Sequence, residues 1–162
     1  MIATIQDKFV TATIGGQLFA LPIQRVQELF VPERVMRVPL AVAEVAGLLN
    51  LRGRIHTVVD MRCRLGLSAQ PQHDNGGVSA QRRQVALSVE HKRESYALLI
   101  DEVGEVMQLP AVDRDENPAN MDAALAQASL GVHRLEGRLL VVLDVDRLLD
   151  FDLHSLAPKA AA

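Results

Sequence analysis

Gly47-Leu48-Leu49-Asn50-Leu51-Arg52-Gly53-Arg54-Ile55-His56-Thr57-Val58-Val59-Asp60 reads as two β-prone runs flanking Arg52-Gly53-Arg54. A glycine in so short a link supplies the positive φ that a tight hairpin requires. Asp60 is placed to cap a short helix through Arg62, Arg64 and Leu65, and Gly66 suits the left-handed position that ends it. The same order of residues returns 84 positions later, from Gly131 to Leu149. Gly47/Gly131, Leu51/Leu135, Gly53/Gly137, Arg54/Arg138, Val58/Val142, Asp60/Asp144 and Leu65/Leu149 coincide. β-rich chains repeat Val and Leu by chance, but turn glycines and cap aspartates are not generic, so the recurrence argues for duplication.

A second block strengthens this. Ala20–Leu29 aligns without a gap on Ala97–Val106, 77 positions later, and in the same order relative to the first block. Phe9–Ile14 and Gln17–Leu21, joined by Gly15-Gly16, read as a hairpin, as do Gln84–Val89 and Ser95–Ile100 around the turn Glu90–Glu94. Pro22-Ile23-Gln24-Arg25-Val26 predicts one helical turn before the chain extends through Glu28–Val31. Each copy is then strand, strand, helical turn, strand, hairpin and short helix. The fold class is all-β with a few short helices, and small closed barrels are the architecture that limits free strand edges. The expected organisation is one domain over residues 1–155, made of two pseudo-repeated barrels at about 15–67 and 84–151, with terminal strands free to exchange between them. Residues 68–83, polar and without an apolar period, read as a flexible connector, and 156–162 as a disordered tail.

Length and composition bound the function. At 162 residues the chain can bury a sizeable core without metal or disulfide. Hydrophobic residues at 49% and charged residues at 23% exclude wholesale disorder. Seventeen Lys and Arg against twenty Asp and Glu give a net charge of −3, little reason to bind nucleic acid or an anionic membrane surface. Met1–Phe9 has no signal-peptide pattern, and the apolar run Leu139–Leu143 is far too short to span a bilayer, so no membrane insertion and a cytoplasmic location are expected. The single Cys63 fits a reducing compartment.

No residue pattern assembles an active site. His56, His73, His91, His133 and His154 include no pair at metal-ligand spacing, so neither metal nor cofactor is expected. Asp113–Asn117 begins like a calcium loop, but Pro118 stands where glycine is needed and Ala124 where a bidentate glutamate is needed. No catalytic residue is assigned and the chain reads as a non-enzyme. An enzyme on a double barrel would need an enclosed polar pocket with shifted titratable groups. The basic group Arg52, Arg54, Arg62 and Arg64 could display its guanidinium forks on one surface toward partner carboxylates; ordinary solvated arginine is the other reading. For Arg52, capping turn carbonyls and contacting a partner are equally compatible with its position.

The order of motifs resembles the CheW-like domain family, the family of the chemotaxis coupling protein CheW. The resemblance rests on Phe9-Val10, Gly15–Ile23, Val26-Gln27-Glu28-Leu29, Val38-Pro39, Gly47–Gly53, Val59-Asp60-Met61-Arg62, Leu65-Gly66-Leu67, Leu99–Val106 and Leu140–Asp144. It implies two five-stranded SH3-like β-barrels. It also implies a non-catalytic adaptor that couples the cytoplasmic tip of methyl-accepting chemoreceptors to the regulatory domain of the histidine kinase CheA, with no room left for a receiver or kinase domain. An adaptor of a pilus-type or other non-flagellar pathway is the alternative. Carried over by position, Val26, Glu28, Gly47 and Arg52 are the expected receptor- or kinase-binding residues. Through the repeat, Val103 and Val106 correspond to Val26 and Leu29, and line the same groove or its counterpart; core packing is the competing role for each valine. His56-Thr57 departs from the apolar-Pro pair of many relatives, which predicts a more regular strand with a less protected edge.

Overall fold

Strands dominate the computed structural model, which describes residues 7–67 and 84–150. They are β1 (Lys8–Ile14), β2 (Gln17–Pro22), β3 (Val26–Phe30), β4 (Val45–Leu51), β5 (Arg54–Asp60), β6 (Val85–His91), β7 (Glu94–Ile100), β8 (Glu102–Gln108), β9 (Ser129–Leu135) and β10 (Arg138–Leu143). Short helices α1 (Met61–Arg64), α2 (Ala123–Ala128) and α3 (Val145–Leu149) decorate them, and Ile23–Arg25 forms the expected single turn, as a 3-10 helix. The expected connector 68–83 and tail 156–162 lie outside the described residues.

Two five-stranded sheets result, ordered β8-β1-β2-β10-β9 and β3-β6-β7-β5-β4. Exchanging each strand for its repeat equivalent turns one order into the other, so the duplication extends to the topology. It does not follow the expected boundaries, however. Neither 15–67 nor 84–151 makes one barrel: each sheet takes a hairpin from one copy and three strands from the other. The cause is local. Asp101 alone separates β7 from β8, too short for a hairpin loop, so the chain runs on into the other sheet. The single turn at Ile23–Arg25 carries β2 into β3 in the same way.

Both faces of the central strands are buried. Along β7, Tyr96, Leu98 and Ile100 enter a large core that also holds Ile14, Phe19, Leu21, Met61, Leu65 and Leu148, drawn from both sheets. The alternate Ala97 and Leu99 face the interior of their own barrel with Leu49, Val58 and Ala86. The other interior holds Phe9, Ala20, Leu109, Leu140 and Val142.

The repeat persists to single hydrogen bonds. Asp60 caps α1 through the backbone N–H groups of Arg62 and Cys63, and Asp144 caps α3 through those of Asp146 and Arg147. Asp60 N donates to the Glu44 carbonyl and Asp144 N to the Ala128 carbonyl, both at 2.8 Å. Ion pairs then join helices to the β2–β3 and β7–β8 crossings with inverted polarity. Arg62 of α1 meets Asp101 at 2.6 Å, whereas Asp146 of α3, its repeat equivalent, meets Arg25 at 2.9 Å. The Arg25 hydrogen bond holds the Asp146 carboxyl below its ordinary value against the opposing effect of burial.

Candidate functional site

Asn50-Leu51-Arg52-Gly53 folds as its residue types dictate. The Asn50 side-chain oxygen accepts the Gly53 N–H at 2.8 Å, and Arg52 (φ 53) and Gly53 (φ 84) make the left-handed pair that a two-residue hairpin needs. This throws the Arg52 guanidinium outward, where it donates to Glu28 Oε1 at 2.6 Å. Glu28 lies on β3 and Arg52 just beyond β4, the two edge strands of one sheet, so the pair helps curl that sheet closed. Phe30 on β3 meets the His56 ring edge-on at 6.4 Å and contributes to the same closure. Arg52 is exposed and Glu28 partly buried, so the pair itself contributes under about 1 kcal/mol to stability. It leaves a fixed charge pair on the surface.

Gly47 acts from beneath. It is buried beside a bulge in the β4–β5 ladder, where a Cβ would collide with the Met36 carbonyl. Its absence lets residues ahead of β4 pair with that strand: Met36 and Leu48 exchange two backbone hydrogen bonds of 2.8 Å. Val35, Met36 and Leu40 are thereby displayed on the surface, and Leu29 and Val31 are exposed at and just beyond β3. Sequence reasoning passed over Val35, Met36 and Leu40. They sit in a proline-interrupted stretch without a period, although apolar side chains interleaved with Arg34 and Arg37 were a signal of exposure.

Val26, Glu28, Gly47 and Arg52 therefore gather on one barrel. Val26 packs partly against the inter-barrel core. Val103 and Val106 occupy β8, the edge strand of the other sheet, paired with Ala12 and Val10 of β1. They therefore stand on the other sheet from Val26 and Glu28. Val103 packs partly on the core and Val106 is exposed.

The basic cluster divides. Arg62 is engaged with Asp101, and Arg64 donates to the carbonyls of Leu148 and Arg147 at the end of α3, so neither joins Arg52 and Arg54 on a common surface. The expected unprotected edge at His56-Thr57 is also corrected. β5 is an interior strand between β7 and β4, and the buried His56 bonds the Arg54 carbonyl and the Ser88 hydroxyl. Away from this turn, burial and the Glu94 carboxylate push the Tyr96 hydroxyl up to about 12. Among the described residues, no helix is long and apolar enough to cross a membrane.

Comparison with known proteins bears on these geometries. A family model described as CheW-like domain matches residues 8–152. Chemotaxis protein CheW of Helicobacter pylori is 26% identical over 145 residues, covering 90% of this chain and 82% of that protein. Protein PilI of Pseudomonas aeruginosa is 30% identical over 144 residues, covering 89% and 71%. The crystal structure of the scaffolding protein TtCheW from Thermoanaerobacter tengcongensis aligns with a TM-score of 0.74 at 19% identity, over 91% of this chain and 90% of that one; this likeness shows the fold.

Proposed function

The chain belongs to the CheW-like domain family of chemotaxis adaptors, and from that membership we propose a cytoplasmic scaffold that couples chemoreceptor tips to the regulatory domain of the histidine kinase CheA. It works by binding and without turnover. The observation that carries this reading is the Glu28–Arg52 pair at 2.6 Å, set among exposed Leu29, Val31 and Met36 on one barrel. An oriented charge pair beside apolar side chains is the chemistry of a protein contact: the apolar area supplies affinity and the charges fix register. Val103 and Val106, on the equivalent strand of the other barrel, are proposed as part of a second contact, which a two-partner adaptor requires.

Co-sedimentation of the chain with a receptor cytoplasmic fragment and the CheA regulatory domain tests the proposal. Arg52→Ala is expected to weaken capture of at least one partner about tenfold, while the far-ultraviolet circular dichroism spectrum stays unchanged. Undiminished capture overturns the role given to Arg52. The similarity to Protein PilI favours a second reading, an adaptor of a pilus-type or other non-flagellar pathway. Which receptor fragments co-sediment separates the two.

A further inference from the structure

Four two-residue hairpin turns close strand pairs in the described chain, and one breaks the pattern. Gly15-Gly16, Arg52-Gly53 and Glu136-Gly137 all put glycine at the second left-handed position; the β6–β7 turn puts Lys92 (φ 50) and Arg93 (φ 65) there instead. A side chain with a Cβ is disfavoured at φ near +65, so Arg93 costs the fold free energy that glycine would not. Strained backbone of this kind concentrates where a side chain serves a purpose outside the fold.

The Arg93 side chain borders an open surface depression of about 500 Å³. Arg54, Ile55 and Thr57 of β5 and Ser95 of β7 complete its polar and apolar lining. Two carboxylates also stand there, but each is held by a neighbour: Glu90 accepts from Gln27 Nε2 at 3.2 Å and Glu94 from the Tyr96 hydroxyl at 3.0 Å. The Arg54 and Arg93 guanidiniums make no hydrogen bond or ion pair among the described residues. The lining carries two arginines against two glutamates, and the surplus of cations lies on the barrel around it. Segments 23–67 and 84–100, which build this barrel, carry nine Lys and Arg against six Asp and Glu; segments 7–22 and 101–150 carry five against twelve.

We propose that the Arg54–Arg93 depression is a docking site for the carboxylate side chains of an acidic segment of a partner protein. Two guanidinium forks match paired carboxylates, the Thr57 and Ser95 hydroxyls can donate to the remaining lone pairs, and exposed Ile55 offers apolar contact to the segment's backbone and methylenes. The depression is open, which suits a side chain presented by another surface rather than an enclosed metabolite. The surplus of cations on this barrel steers such a segment toward it. The site lies by the Arg52 turn and deepens the adaptor reading by naming a partner chemistry, yet its test needs neither receptor nor kinase.

The full chain, labelled with ¹⁵N, is titrated with a synthetic peptide, acetyl-Gly-Asp-Glu-Asp-Glu-Gly-amide, and with its Asn/Gln counterpart. The acidic peptide is expected to shift the amides of Arg54–Thr57 and Arg93–Ser95, and the amide peptide to leave them in place. Arg93→Gly should weaken the acidic peptide at least fivefold while raising the melting temperature, a pairing that a merely structural arginine would not produce. Arg54→Gln should also weaken it at least threefold and provides the check if Arg93→Gly misfolds. Equal shifts with both peptides, shifts confined to other surfaces, or undiminished binding by either folded variant overturn the proposal. Loss of partner capture in wild-type protein with peptide binding intact would instead count against the adaptor reading alone.

Discussion

His133 stands in the repeat where the first copy has Leu49, and each is almost wholly buried. Leu49 belongs to the apolar interior of its barrel, whereas His133 leaves Nε2 without a hydrogen-bond partner. Burial, reinforced by the Arg114 charge and partly opposed by Asp113 and Asp115, pushes the imidazole below its ordinary value of 6.5. Below pH 6.5 the unfolded chain then takes up a proton that the folded chain still excludes. The stability present above pH 6.5 is lost as pH falls toward the depressed folded value. His133→Leu is expected to raise stability by about 1–3 kcal/mol by removing the unsatisfied nitrogen. It should also flatten the loss of stability between pH 7.5 and 5.5. Urea unfolding at the two pH values measures both, and a variant as acid-sensitive as wild type would show that this histidine is not the group responsible. Tyr96 shows the converse case: its hydroxyl is also displaced, but its Glu94 partner satisfies it, so it does not create the same liability.

At the scale of elements, β4 and β9 share a device that protects an edge. In both, one extra residue bulges the strand beside a glycine, and a loop backbone pairs in the space that glycine leaves: Met36 against Leu48, Asp115 against Val132. A Cβ at Gly131 would lie 2.6 Å from the Asp115 carbonyl oxygen. Gly131→Ala and Gly47→Ala are each expected to cost about 1–3 kcal/mol in chemical denaturation, the range for forcing atoms into a filled space. In Gly47→Ala the Met36 amide should also lose hydrogen-exchange protection, because the segment must lift away. Retained protection with unchanged stability would mean that the close approach carries no energy. The hairpins, the Asp60 and Asp144 caps and the pairing of Gly47 with Gly131 were legible because each rests on local chemistry: glycine at positive φ, a carboxylate at a helix start, apolar alternation. The docked loops were not, because a stretch such as Val35–Leu40 has no period and its partner strand lies beyond a proline. The Glu28–Arg52 contact was legible only as two separate residues; joining them required knowing that β3 and β4 are opposite edges of one sheet.

For the whole molecule, the decisive fact is that neither repeat copy owns a sheet. β1 and β2 pair with β8 and β10, while β3 and β5 pair with β6 and β7. Single-sequence reasoning finds the copies and leaves the exchange open, because both arrangements bury the same residues and satisfy the same alternation. The turn lengths decide between them. The consequence is topological: β3 and β8, the two candidate contact edges, lie on different sheets, and each sheet is built from both halves of the chain. Interleaving also predicts how the chain must fold. A fragment of residues 1–67 holds two strands of one sheet and three of the other, and residues 84–162 hold the complement. Each isolated fragment leaves inter-barrel core residues such as Phe19 or Tyr96 without their partners, and the strands lack neighbours along at least one edge. At low micromolar concentration neither fragment should show a cooperative thermal transition as a monomer, and an equimolar mixture should recover one together with native-like β circular dichroism. A single fragment that melts cooperatively as a monomer would show that one copy is a folding unit after all, and that the pairing between copies is docking rather than the source of the fold.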